Sequence, residues 1–474
     1  MINKLFADWT NRILLLIVLL LGFYVIFRGI SLSFTHDESL SFSIIQGNTS
    51  LKQTANHHAL NTMLMDVCFK LFGSQEWALR LPNIIAFFIY SLAAFLVTNL
   101  ITEKTIRVFA FVVLLFNPFL LDFFSLARGY GISNSCILLA FYFLLRHNVR
   151  DQKLSILNID FLLCMLSATA SMFSILSSIN IYIALLGIFV IRYMIFFLKN
   201  RQSWNRGILL SCVIFFLALV PLYFGVETLL VLKDNNELYY GSNSLISSIN
   251  ALIYASMYHD FPPKWVSISL RYAILAIFLI SFVFLVFYKK RSERFLLISC
   301  LNILVVIGFF IEHYFFDAKY PQNRTALMFI PMIACQAMFL FNEINTAKFK
   351  WVNVFIKMIS VFAIILLSYN LIINLNLKKT LLWSYDASTK EVAMLIDYHS
   401  KGLNRKAVIS NRWLFEPTLN YYITSRELNI EPASRNPLNC GADFILDFNP
   451  NCPDVTYDTL LFNNDNGVVL LKKR

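Results

Sequence analysis

Charge is scarce in this chain. Only 14% of its 474 residues are Asp, Glu, Lys or Arg, against about 25% in a soluble globular protein. That is too little polar surface to cover a water-soluble body of this size. The composition equally excludes a disordered chain, a collagen-like repeat and a small disulfide scaffold, since glycine (14), proline (12) and cysteine (8) are all sparse. The cysteines are scattered without a CxxC spacing, so neither a zinc ribbon nor a dithiol redox site is indicated. No GxxxxGK[ST], GxSxG or HExxH occurs, nor a GxGxxG after a strand. ATPase, serine hydrolase, zincin and dinucleotide chemistry therefore lack support, and the energy for any transfer must come with the substrate. The net charge of +12 has no cluster of basic residues interleaved with aromatics behind it, so no nucleic-acid partner is expected.

What is abundant is apolar: 58% of residues are hydrophobic, 46 are Phe and 21 are Tyr, and the mean hydropathy is +0.63. A bilayer span needs about 20 mostly apolar residues. Runs of that kind fall near 12–31, 82–101, 107–124, 131–146, 156–175, 179–198, 207–226, 269–288, 295–312, 325–341 and 352–374. The fold class expected is an α-helical polytopic membrane protein of about eleven transmembrane helices, with the short connection near Ser177 separating the fifth from the sixth. With the N-terminus inside, 16 basic residues fall on short inner segments, among them Lys104, Arg107, Arg146, Arg150, Lys199, Arg201, Lys289, Lys290, Arg291 and Lys348. The longer outer loops hold only about nine, and they carry the acids Asp37, Glu38, Asp66, Glu76, Asp122 and Asp260. That bias is the positive-inside pattern.

Chemistry usually sits where loops are long and polar. The outer segments 32–80, 227–268 and 312–324 are the substantial ones, so the working face is expected outside. In the first, Met63, Leu64, Val67, Phe69 and Leu71 suggest an amphipathic helix along the membrane surface. After residue 376 the composition changes: 12 basic and 11 acidic residues occur in 99 positions, with five of the 12 prolines. This tail, 376–474, is expected to be a small extracytoplasmic α/β domain. Helices near 388–401 and 414–424, strands at 406–410 and 442–448, and a hairpin turning at Asn463–Gly467 are its expected elements. Cys440 and Cys452 share it and could pair in an oxidising compartment.

Three short constellations could carry chemistry. His36-Asp37-Glu38 follows the first span directly, at a depth where adjacent acids are costly unless paired, solvated or capping a helix. Asn56-His57-His58 could line a polar cleft or hold a divalent metal ion, although adjacent histidines rarely ligate one ion. Ala127-Arg128-Gly129-Tyr130-Gly131 forms a tight turn after the third span, and its arginine either snorkels or forks onto a phosphate. Lys319 and Arg324, before the tenth span, offer two more cations or ordinary interfacial anchors.

A DE pair after the first span, a surface helix in the following loop, the lead-in FKLFGSQEWALRLPN (69–83) and the ARGYG turn together resemble a known group. It is the GT-C superfamily of polyprenyl-phosphate-sugar-dependent glycosyltransferases, specifically the protein O-mannosyltransferase and lipid A aminoarabinose transferase group. The resemblance covers the first 150 residues best, and the later spans match in layout only. It departs at Asn56-His57-His58-Ala59-Leu60, where the group usually has His-Pro-Pro, and the lysine common near that motif is not evident.

The resemblance implies transfer of a sugar from a polyprenyl-phosphate-linked donor to an extracytoplasmic hydroxyl on a protein, lipid or glycan acceptor, with inversion. It implies a multi-pass protein of the bacterial inner membrane, domains 1–375 (transferase, with its catalytic loop 32–80) and 376–474, and no certain cofactor beyond the possible divalent ion. Asp37 maps onto the general base and Glu38 onto a residue that orients the acceptor or tunes Asp37. Arg128 would hold the lipid phosphate with Lys319 or Arg324 as second cation, and His57, His58, Arg80 and Tyr130 would complete the substrate-binding set. The alternative is a transporter or flippase for a lipid-linked sugar. Acids concentrated on one face, with few charges at mid-span, favour an interfacial enzyme over it. A third alternative is a non-catalytic assembly protein.

Overall fold

The computed structural model describes residues 8–148, 153–200, 206–258, 263–346, 350–450, 452 and 455–474. Arg150, Arg201, Lys348 and Asp260, named above, and Lys4, another of the 16 basic residues, lie outside the described residues. The chain divides into two compact units, residues 1–24, 83–124 and 129–375 in one, residues 25–82, 125–128 and 376–474 in the other.

Helices run in chain order as α1 (Trp9–Ser31), α2 (His36–Ile45), α3 (Ala59–Phe72), α4 (Glu76–Thr98), α5 (Lys104–Leu115), α6 (Pro118–Phe124), α7 (Gly129–Leu145), α8 (Leu154–Ser174) and α9 (Ile179–Asn200). They continue as α10 (Arg206–Asp234), α11 (Leu245–Ser256), α12 (Lys264–Phe287), α13 (Glu293–Phe316), α14 (Phe329–Thr346) and α15 (Lys350–Asn374). Among the described residues nine helices are long and apolar enough to cross a membrane, and the bent pair α5–α6 makes a tenth. The remaining apolar run is α7, 17 residues long.

The bend between α5 and α6 is 59°. Its cause is local: Pro118 has no N–H to continue the ladder, and Asn117 starts α6 afresh by accepting the Leu120 N–H on its side chain at 3.0 Å. The first unit wears its hydrophobes outward, with Phe287 and Leu198 77% and 82% exposed, as a lipid-facing surface requires. Inside, polar side chains stitch helices together. The Ser133 hydroxyl meets those of Ser171 and Ser178 at 2.8 and 3.0 Å, and Asn302 donates to Gln336 at 2.8 Å. Gly131, at the start of α7, is obligatory because a Cβ there would stand 2.7 Å from the Phe123 carbonyl oxygen.

The second unit holds α2, α3 and the tail. In the tail, α16 (Thr389–Ser400) and α17 (Glu416–Ser425) pack on strands β1 (Ile409–Asn411), β2 (Phe444–Asp447), β3 (Tyr457–Asn463) and β4 (Val468–Lys473). The sheet order is β1-β2-β4-β3. β1 lies parallel to β2, and the β3–β4 hairpin is antiparallel. The strand expected at 406–410 forms at 409–411, starting three residues later and ending one later, since Ala407 bridges Ile430 instead of joining the sheet. Cys440 and Cys452 are disulfide-bonded, their Cα atoms 5.6 Å apart.

One apolar core serves the whole second unit. Val392 and Ile396 of α16, Leu419 and Tyr422 of α17, and Phe444 and Leu446 of β2 are buried together with Phe34, Phe42, Met65 and Leu79 from the segment before residue 82. Phe34 stacks on Tyr421 with ring centroids 4.0 Å apart. On α3 the residues Met63, Val67, Leu71 and Phe72 keep an exposed apolar stripe, the expected surface-helix pattern.

Candidate active site

The first turn of α2 carries His36, Asp37 and Glu38. Its start is fixed by Thr35 and Glu38, which cap each other: the Glu38 carboxylate accepts from the Thr35 N–H (2.9 Å) and hydroxyl (3.0 Å). Acids in a first helical turn also face the positive end of the helix dipole.

Glu38 is fully buried and saturated. Beyond Thr35 it accepts from Arg80 Nε and Nη2, both at 2.8 Å, and from the Ala127 N–H at 2.6 Å. Arg80, fully buried as well, spends its remaining donors on the carbonyls of Gly29 (3.1 Å), Leu32 (2.8 Å) and Ser33 (2.9 Å). All five guanidinium N–H groups are thereby committed. The carbonyls they satisfy are those left unpaired where α1 ends. Arg80, expected to bind substrate, is a structural bracket between the end of α1 and the start of α2.

Arg128 repeats this pattern one layer out. Its Nη1 donates to the Asp37 carbonyl (3.0 Å) and the Ser41 hydroxyl (2.9 Å), and its Nη2 to the Asn56 carbonyl (3.0 Å) and side-chain oxygen (2.5 Å). The same nitrogen lies 3.5 Å from Asp37 Oδ2. The turn that presents Arg128 is held by Glu38 at the Ala127 N–H and by Asn61, which donates to the Ala127 carbonyl at 2.9 Å. Of the two acids, Asp37 is the one with side-chain surface left, 8% against none for Glu38.

His57 is half-buried, with Nδ1 3.1 Å from the Lys52 carbonyl. Burial, helped by the nearby Arg128 charge, holds its imidazole below the usual value, against the opposing pull of that carbonyl. His58 is buried at the N-cap of α3. Among the described residues no three His, Cys, Asp or Glu side chains converge in a way that could hold a metal ion.

The tail reaches the same helix start. Asp386 accepts the His36 N–H at 2.7 Å and the Thr389 hydroxyl at 3.2 Å. Complete burial pushes its carboxyl up to about 8, against the pull of those hydrogen bonds and of Thr418. His36 Nδ1 sits 2.8 Å from the Leu414 carbonyl. Glu76, at the first turn of α4, pairs with Lys390 (2.8 Å) and Arg426 (2.7 Å), and the Tyr422 hydroxyl accepts the Phe34 N–H at 2.7 Å.

The structure thus brings Asp37, Glu38, Arg80 and Arg128 into one cluster, with His57 at its edge. Tyr130, Lys319 and Arg324 belong to the other unit. There Tyr130 is buried against Phe123, ring centroids 4.8 Å apart, Lys319 donates to Asn243 at 2.8 Å, and Arg324 lies over the Tyr240 ring at 5.2 Å. Sequence reasoning named Asn56 only as part of the Asn56-His57-His58 motif and passed over Asn61 and Asp386. The two asparagines flank the histidines it chose, and as neutral groups that can accept and donate they suit the contacts they make.

Among solved structures, the chain superposes on ArnT from Cupriavidus metallidurans bound to undecaprenyl phosphate, with 11% identity over 98% of each chain and a TM-score of 0.52. The chain shares the fold of this ArnT structure. ArnT from the same organism in the apo state aligns over 96% of this chain and 97% of that one, at 11% identity and a TM-score of 0.44. The archaeal oligosaccharyltransferase AglB from Archaeoglobus fulgidus, in complex with an inhibitory peptide and a dolichol-phosphate, aligns over 91% of this chain and 65% of its own. Its identity is 12% and its TM-score 0.48. No family model matches the sequence, and no curated protein sequence does.

Proposed function

We propose that this protein is an integral-membrane glycosyltransferase that moves a sugar from a polyprenyl-phosphate-linked donor to an acceptor hydroxyl outside the cytoplasm. The observation that carries the reading is the Asp37–Arg128 pair, a carboxylate and a guanidinium 3.5 Å apart on a rigidly bracketed helix start, in a chain with the fold of ArnT. In the proposed step Asp37 takes the proton of the acceptor hydroxyl. That oxygen bonds to the anomeric carbon from the face opposite the phosphate, and the carbon–oxygen bond to the phosphate breaks with its electron pair leaving on the phosphate. The configuration inverts. Arg128, buried and with both terminal nitrogens engaged by Asp37, Ser41 and Asn56, lends its positive charge to the departing phosphate without a direct fork.

Glu38 and Arg80 are positioning residues in this reading. Glu38 fixes both the helix that carries Asp37 and the turn that carries Arg128, and its saturated oxygens leave it no part in binding an acceptor. The Cys440–Cys452 disulfide supports an extracytoplasmic tail, and with the Lys/Arg bias it favours a cytoplasmic N-terminus in a bacterial inner membrane. The test is sugar transfer by the purified protein in lipid from a labelled polyprenyl-phosphate sugar. Transfer that is lost in Asp37→Asn supports the proposal, whereas movement of the donor sugar across the bilayer without transfer would replace it by the flippase reading.

A further inference from the structure

Trp413 is out of place for a tryptophan in a packed domain. The short 3-10 turn Trp413–Phe415 precedes α17, and the backbone on both sides of the indole is pinned. The Arg412 N–H donates to the Leu446 carbonyl at 3.1 Å, its guanidinium lies 5.3 Å from the Phe448 ring centroid, and the Leu414 carbonyl holds His36 Nδ1 at 2.8 Å. Phe415 is fully buried, its ring against Tyr385 and Phe448. Between these anchors Trp413 stays 52% exposed. Among the described residues its aromatic contact is with His36, edge-on at 5.9 Å, and His36 immediately precedes Asp37. Other exposed aromatics of the tail, Tyr398 and Phe462, lie on α16 and on the β3–β4 hairpin.

A half-exposed indole on a backbone anchored by contacts on both sides suits one class of ligand well. A pyranose ring turns several axial C–H groups to one face and its hydroxyls to the rim, so it packs on an aromatic face while the hydroxyls remain free for polar partners. Large rigid aromatics give such contact area at little entropic cost. We infer that Trp413 is the platform for a pyranose ring beside Asp37, a binding residue supplied by the tail. The inference rests on the glycosyltransferase reading for the identity of the ligand. The pyranose belongs either to the donor or to a glycan acceptor, and the experiment separates the two.

The test uses the full chain in lipid nanodiscs, as wild type, Trp413→Ala and Trp413→Phe. Turnover is measured with a labelled undecaprenyl-phosphate hexose while donor and acceptor are varied independently. The proposal expects Trp413→Ala to raise KM about three- to tenfold for one of the two substrates, to leave kcat nearly unchanged, and to be partly rescued by phenylalanine. The substrate whose KM moves identifies the source of the ring. A second arm needs no turnover: methyl hexopyranosides and methyl pentopyranosides are titrated against intrinsic fluorescence, and the wild-type minus Trp413→Phe difference isolates Trp413 among the seven tryptophans. Quenching in that difference supports the platform even if the wild type transfers no sugar, an outcome that would remove the enzymatic reading alone. Unchanged KM values together with a flat difference signal would overturn the platform.

Discussion

Arg80→Ala removes five hydrogen-bond donors at one stroke. It strands Glu38, a carboxylate with no exposed surface, and leaves the carbonyls of Gly29, Leu32 and Ser33 without their partner. Breaking a buried ion pair from one side costs about 3–5 kcal/mol, and each buried carbonyl that loses its donor adds about 1–3 kcal/mol. Together these reach the roughly 5–15 kcal/mol that keeps an ordinary domain folded. The expected result is therefore a collapse of stability, with lost expression or a large drop in the unfolding midpoint in detergent, before any ligand contact is felt. Arg80→Lys should recover part of it, because a point charge pairs with Glu38 but cannot serve three carbonyls. In a double-mutant cycle with Glu38→Leu, the pair should lose clearly less than the sum of the singles, since the second substitution removes a charge already stranded. Arg80→Ala with a wild-type unfolding midpoint and a raised donor KM would refute this reasoning and make Arg80 a ligand-binding residue.

Two further perturbations follow from the same packing. Asp386 carries its proton up to about pH 8 in the folded chain against an ordinary value of 3.8. The folded state thus holds a proton that the unfolded state has released, and this contribution, complete below the ordinary value, is lost as pH rises through about 8. Asp386→Asn should flatten the fall of the unfolding midpoint between pH 5 and 9, and parallel curves for the two proteins would contradict it. A cysteine placed at position 430 should react with impermeant reagents from outside intact cells, while Cys440 and Cys452 should react only after reduction. Labelling of position 430 from the cytoplasmic side would reverse the topology.

Apolar runs of bilayer length were legible because they need only composition. The break inside 107–124 was harder to see, since the run is apolar throughout, and its signal was the single pair Asn117-Pro118. The tail's helices and hairpin followed from local periodicity and turn residues, and β1 formed later than expected because Ala407 pairs with Ile430. The candidate residues Asp37, Glu38 and Arg128 stood out by position and charge, and their proposed roles came from a resemblance, as local spacing says nothing about which of them meet. The contacts of Arg80 were hidden for that reason: its partners lie 42 to 51 positions away. Asp386 was invisible, 350 positions from the helix start it caps. An isolated aspartate in a polar stretch carries no local mark of burial.

The claim that Asp37 is the base is tested most directly by single-turnover sugar transfer from a labelled polyprenyl-phosphate donor, with wild type and Asp37→Asn in the same lipid. The amide keeps the side chain's shape and can still meet Arg128, so donor binding should stay within about twofold of wild type while the chemical step falls by about 10²–10⁴. Transfer by Asp37→Asn at the wild-type rate, with donor binding intact, would contradict the account.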